Sequence, residues 1–130
     1  MSEKIKIITD VTGAPKPVGP YSIATISSGL AFLSGQVPID PATGALVTGG
    51  IEAEAKQVLK NINAVLSHLG LSWSDVVKTT IFMIDLKNFQ VVNSIYGETM
   101  GEHRPSRSTI QVAALPLGAA IEIEMIVAVK

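Results

Sequence analysis

At 130 residues the chain has room for one domain with a real hydrophobic core and is too short for two. Hydrophobic residues make up 47% of it and charged ones only 16%, a lean surface for a monomer, so part of the apolar excess is expected to lie between subunits. A formal net charge of -1 offers no electrostatic case for nucleic acid, and the absence of cysteine excludes disulfides, thiolate chemistry and cysteine zinc sites.

The N-terminal "MSEKIKIITD" has no long apolar stretch of the secretory kind, and no apolar run approaches membrane-spanning length. A soluble cytoplasmic protein is the expectation. Lys4 to Thr9 begins as a short alternating strand, and "GAPKPVGP" at Gly13 to Pro20 follows with three prolines that forbid regular structure and deliver Tyr21. Ser22 to Ile26 and Leu30 to Ser34 read as strands joined by a tight turn at Ser27-Ser28-Gly29. Val37 to Gly50 is a loop rich in proline and glycine.

Ile51, Ala55, Val58, Ile62, Val65 and Leu69 recur at three- and four-residue steps, an apolar stripe along a helix of about five turns. Glu52 and Glu54 suit its first turn, His68 and Gly70 its end. Ser72 to Asp75 has capping-box spacing, and Val76 to Ile84, dense in β-branched residues, reads as a central strand. Asp85 is the predicted N-cap of a second helix, with Phe89, Val92, Tyr96 and Met100 on one face and Gly101 at its end. "HRPSRSTIQV" from His103 to Val112 supplies a further strand, extended by its proline.

The last strand, Ala120 to Val129, puts Ile121, Ile123, Met125, Val127 and Val129 on one face and Glu122, Glu124, Ile126 and Ala128 on the other. Helices on one side of a sheet need only one apolar face, so the second is best covered by another copy of the sheet. The order β-β-β-α-β-α-β-β predicts a single α+β domain over residues 1–130, a mixed sheet with two helices packed on one face.

Common catalytic devices are missing: no G-x-G-x-x-G, no P-loop, no G-x-S-x-G elbow. Gly49-Gly50 before a helix reads as an entry loop rather than an anion cradle, and His68 and His103 stand apart with no companion at ligand spacing, so no metal is expected. What remains is a set of polar residues at strand and loop junctions. Arg107 presents a planar fork suited to a carboxylate, against the plainer reading of a surface arginine. Glu122 or Glu124, on a face with apolar neighbours, could carry a raised pKa and exchange a proton with water. Tyr21, Ser34 and Gly35 could meet a ligand or simply plug and turn a strand end. Asn93, at the margin of the second helix's stripe, could bond to loop backbone or to a ligand.

Taken together, these residues resemble the RidA family, also called YjgF, of reactive-intermediate deaminases. The resemblance runs from about Ile7 to the C-terminus through "APKPVGPYS", "FLSGQVPIDPATG", "VVKTTIFMIDL", "VNSIY", "RPSRSTIQVAALP" and "IEIEMIVAV". It implies a chorismate-mutase-like fold, a homotrimer with sites in clefts between subunits, and hydrolysis of 2-imino acids such as 2-iminobutanoate and 2-iminopropanoate to 2-oxo acids and ammonia without a cofactor. These imino acids form from enamines released by pyridoxal-phosphate enzymes. The family's carboxylate-binding arginine falls on Arg107, its site glutamate on Glu122, its tyrosine on Tyr21, its serine and glycine on Ser34 and Gly35, and its helix asparagine on Asn93. Thr109 takes the position two after the arginine. The chain departs from the pattern at Ile23, where many members carry a polar residue, and in a link before Arg107 about two residues shorter than usual. Two other readings compete: a ribonuclease or translation inhibitor, and a metabolite-binding or chaperone-like trimer without turnover.

Overall fold

The structure, a computed structural model, describes residues 4–129; Met1 to Glu3, part of the N-terminal stretch read above, lie outside them. Six strands form one mixed sheet: β1 (Lys6–Ile8), β2 (Ala24–Ser27), β3 (Leu30–Gln36), β4 (Val76–Met83), β5 (Ser106–Gln111) and β6 (Ile121–Ala128). Their spatial order is β1-β2-β3-β6-β4-β5, with β4 and β5 parallel and every other pair antiparallel. Helices α1 (Gly50–His68) and α2 (Phe89–Met100) connect β3 to β4 and β4 to β5 and cover one face.

The predicted stripes make the core. Ala55, Val58, Ile62 and Val65 of α1 and Val92, Tyr96 and Met100 of α2 are buried against Ile121, Ile123, Met125 and Val127 of β6. On that central strand the alternate residues Glu122, Glu124, Ile126 and Ala128 stay partly or fully exposed, so the two-faced pattern is realised. Across the sheet Ile7, Phe32 and Ile110 are exposed on the same open face, each 41% or more. That is a large apolar area for a helix-free side.

Several boundaries move. β1 is shorter than expected, β6 and β4 lose their terminal residues, and β2 runs to Ser27 because Ser28 and Gly29, with φ of 54° and 78°, form a two-residue turn between Ser27 and Leu30. Positive φ at both turn positions matches the right-handed twist of the hairpin. β3 extends past Ser34 to Gln36 through a register shift against β6. Asp85 caps through its side chain, accepting from Lys87 N at 2.9 Å, but the element it caps is a 3-10 turn at Leu86–Asn88; α2 proper begins at Phe89. Glu54 is not in the first turn of α1: its Oε1 accepts from Ala120 N at 2.8 Å, pinning the start of β6.

Asn61 is fully buried on α1. Its Nδ2 donates to Ile39 O at 2.9 Å and Val37 O at 3.4 Å, while its Oδ1 accepts from Gln57 at 2.8 Å, so one side chain fixes the loop that leaves β3. Asn61→Leu strands both carbonyls in a dry setting, and a loss of about 2–4 kcal/mol is expected. Urea unfolding should show it as a lower midpoint at unchanged slope.

Candidate functional site

The residues singled out in the sequence fall into two groups, one on each face of the sheet. On the open face, Tyr21, Ser34, Gly35 and Glu122 line one cavity of about 360 Å³, together with Val18, Val37, Pro116 and Glu124. A larger cavity of about 500 Å³ lies beside it between the proline-rich segment and the turn after Ile39, and it holds none of the predicted site residues.

Gly35 sits in the irregular stretch of β3 where the register against β6 shifts. Its backbone is not left-handed, so space rather than φ demands glycine there. A Cβ would overlap Glu122 Oε2 and lie 2.8 Å from the carboxylate carbon. The carboxylate therefore rests against bare backbone. The Ser34 hydroxyl donates to Ser22 O at 2.6 Å, which leaves its oxygen free to accept. Val18 N donates to the Tyr21 hydroxyl at 3.2 Å, and the ring lies beside Gly19, so a half-exposed tyrosine is held by its own rigid loop.

Glu122 has a raised pKa, first because burial disfavours its charged form and second because Glu124 repels it. Glu124 shares its face two residues along, as the strand period requires. The raised value fixes a sign for stability. The folded state holds the Glu122 proton to higher pH than the unfolded chain, so stability declines as pH rises from the unfolded pKa through the folded one. Glu122→Gln removes that decline. Its melting temperature should exceed that of the parent at neutral pH and converge with it in acid, as thermal melts across that range would show.

On the helix-covered face stands Arg107. Its Nη2 donates to Asn93 Oδ1 at 2.7 Å, and its guanidinium carbon lies 4.9 Å from the Tyr96 ring centroid and 5.7 Å from that of Phe89. Phe89, Asn93 and Tyr96 are spaced four and three apart on α2, which stacks them on the helix surface above β5. The helix asparagine thus bonds to the arginine rather than to loop backbone. Sequence reading missed the two rings as guanidinium partners because it assigned them to the core stripe; only Tyr96 is buried there. The Thr109 hydroxyl, two residues along the same face, is buried with no hydrogen-bond partner.

Register explains why the groups stay apart. Arg107 pairs with Thr79 on β4, which is fully buried and lies on the helix side, whereas Glu122 pairs with Phe82 on the open side. Arg107 and Glu122 therefore project from opposite faces, and one copy of the chain does not bring them together. Among the described residues the sole ion pair joins Lys56 and Glu52 at 3.3 Å, so Arg107 meets no carboxylate. Among the described residues there is also no cluster of three or more potential metal ligands and no helix long and apolar enough to cross a membrane.

A family model described as Endoribonuclease L-PSP matches residues 11–129. The chain is 42% identical over 126 residues to the human 2-iminobutanoate/2-iminopropanoate deaminase, covering 97% of this chain and 92% of that one. Among solved structures it resembles a Yersinia pestis protein of unknown function of the conserved Rid family, with a TM-score of 0.92 and 44% identity over 96% of this chain and 99% of that one. It also resembles Escherichia coli TdcF with bound serine, with a TM-score of 0.89 and 35% identity over 96% of this chain and 100% of that one.

Proposed function

Because the chain belongs to the endoribonuclease L-PSP family, the RidA family of the resemblance, we propose that it hydrolyses small 2-imino acids, 2-iminobutanoate and 2-iminopropanoate among them, to 2-oxo acids and ammonia. One observation carries the reading. Arg107 is half-buried, held from three sides and without a carboxylate among the described residues, an arrangement suited to receive an anion from outside the chain. The deaminase name of the human relative and the serine bound to TdcF support a small substrate bearing an α-carboxylate.

Since Arg107 and Glu122 lie on opposite faces, the site is completed by a second copy, with Arg107 from one protomer and the Glu122 cavity from its neighbour. We read the assembly as the homotrimer of a chorismate-mutase-like fold, its open sheet faces turned inward. The exposed Phe32, Ile110 and Ile7 on those faces agree with that burial.

The chemistry needs little more than placement. Arg107 grips the carboxylate and so sets the position of the C=N carbon, with the buried, unpartnered Thr109 hydroxyl two residues along the same strand face. Glu122 takes a proton from water as the water oxygen bonds to the carbon of the protonated imine and the C=N π electrons pass to nitrogen, which gives the neutral carbinolamine. It gives that proton to the amine nitrogen of the carbinolamine, then takes the hydroxyl proton as the C=O bond forms, the C–N bond breaks and ammonia leaves. Its raised pKa suits both transfers, since a carboxylate closer to neutrality gives back what it takes. Tyr21, Ser34 and Gly35 form the wall behind the substrate. No step calls for a cofactor. Following oxo-acid release from enzymatically generated 2-iminobutanoate, without protein, with it and with its Arg107→Ala variant, tests the reading; equal rates in all three reject it.

A further inference from the structure

Two of the three groups that hold Arg107 are accessible enough to meet a ligand themselves. Phe89 is 37% exposed and Asn93 half-buried, but Tyr96 is only 6% exposed and its ring lies beneath the guanidinium. Its hydroxyl donates to Thr79 Oγ1 at 2.9 Å in the core. Thr79 is itself fully buried, and it is the residue of β4 directly opposite Arg107.

A buried hydroxyl pair among aliphatic neighbours is not required for stability. When both partners are replaced by apolar groups of the same shape the change is close to neutral, so packing alone would be served by phenylalanine and valine. What the pair adds is orientation. A hydrogen bond at the para position holds the far end of the ring against swinging, close packing limits its rotation about the long axis, and the negative face of a ring so held defines where a cation lies above it. With Asn93 accepting from Nη2, the plane of the guanidinium is set from below by the ring and from one edge by the amide. The remaining N–H groups are then left in a fixed plane for a two-point contact with a carboxylate.

We propose that Tyr96 and Thr79 are positioning residues that act through Arg107, a hydroxyl pair whose purpose is the affinity of the site for a carboxylate. This rests on the reading of Arg107 as the carboxylate grip. Tyr96→Phe and Thr79→Val each remove the same hydrogen bond and preserve shape. Each should raise the KM for 2-iminobutanoate and the Kd for 2-oxobutanoate by about three- to tenfold while kcat stays within about twofold. Combining them should add little further, because one bond is lost either way. Thr79→Ser, which keeps the acceptor oxygen, should restore binding.

Calorimetric titration of the assembled protein with 2-oxobutanoate, run on these variants and on Arg107→Ala, decides the matter. Unchanged Kd in Tyr96→Phe and Thr79→Val beside lost binding in Arg107→Ala overturns the positioning role alone, whatever happens to the melting temperature. Fully additive effects in the double variant overturn the pairing. Retained binding in Arg107→Ala overturns the carboxylate grip on which the inference stands.

Discussion

Arg107→Ala is expected to lower kcat/KM for 2-iminobutanoate by roughly a hundred- to a thousandfold, the loss of about two charge-assisted hydrogen bonds. The stability change should be small by comparison, because the guanidinium is only half-buried and its loss strands no buried opposite charge. Arg107→Lys should recover little. An ammonium offers a point charge in place of a planar fork and cannot at once donate to Asn93, lie over the Tyr96 ring and present two parallel N–H groups. Oxo-acid release measured against a no-protein control reads both variants' activity, and thermal melts read the stability change.

The same variant tests the shared site. Arg107→Ala and Glu122→Gln chains each lack one half, and a cleft built from both copies regains an intact pair when the two are unfolded and refolded together. Recovered activity in the mixture, from two preparations inactive alone, is the expected result. A mixture as inactive as its components would contradict a cleft shared between protomers.

Gly35→Ala is expected to reduce turnover by about a hundredfold or more while leaving the fold nearly as stable as before. The added methyl overlaps Glu122 Oε2, and that obstacle is the end of a flexible side chain rather than backbone. Glu122 can swing away at little energetic cost, taking its carboxylate off the reacting carbon. A positioned acid or base is worth roughly a hundred- to ten-thousandfold, and most of that vanishes with misplacement. The discriminating measurement pairs activity with thermal unfolding. Activity lost at an unchanged melting temperature supports a spatial role for Gly35, whereas loss of both points to a disrupted β3.

Much of this architecture was legible from residue order. Two apolar stripes at helical spacing and the strict alternation of β6 needed no tertiary information, because each element's burial follows from its own period. Boundaries shifted where another segment intervened. Glu54 left its expected dipole role to hold Ala120 N, and Ser34 stayed in a strand that continues through a register shift to Gln36. Asp85 kept its capping chemistry but applied it to a 3-10 turn. The Asn93–Arg107 bond was out of reach, since it joins residues fourteen apart through a helix–strand packing no local pattern encodes.

By itself the sequence determined the inventory and the faces of the regular elements: a mixed α+β sheet, a last strand apolar on both sides, and a family's set of polar residues in order. Which side of the sheet Arg107 occupies was decided by tertiary structure alone. Ser106 to Gln111 carries polar residues on both faces and a single apolar one, Ile110, which ends up exposed on the open side, so its period gives no usable hydrophobic signal to orient it. Its phase comes from parallel pairing with β4, which matches Arg107 to Thr79, while antiparallel pairing on the other edge of β4 matches Glu122 to Phe82. One strand between them, with alternating side chains, sends the cation and the carboxylate to opposite faces.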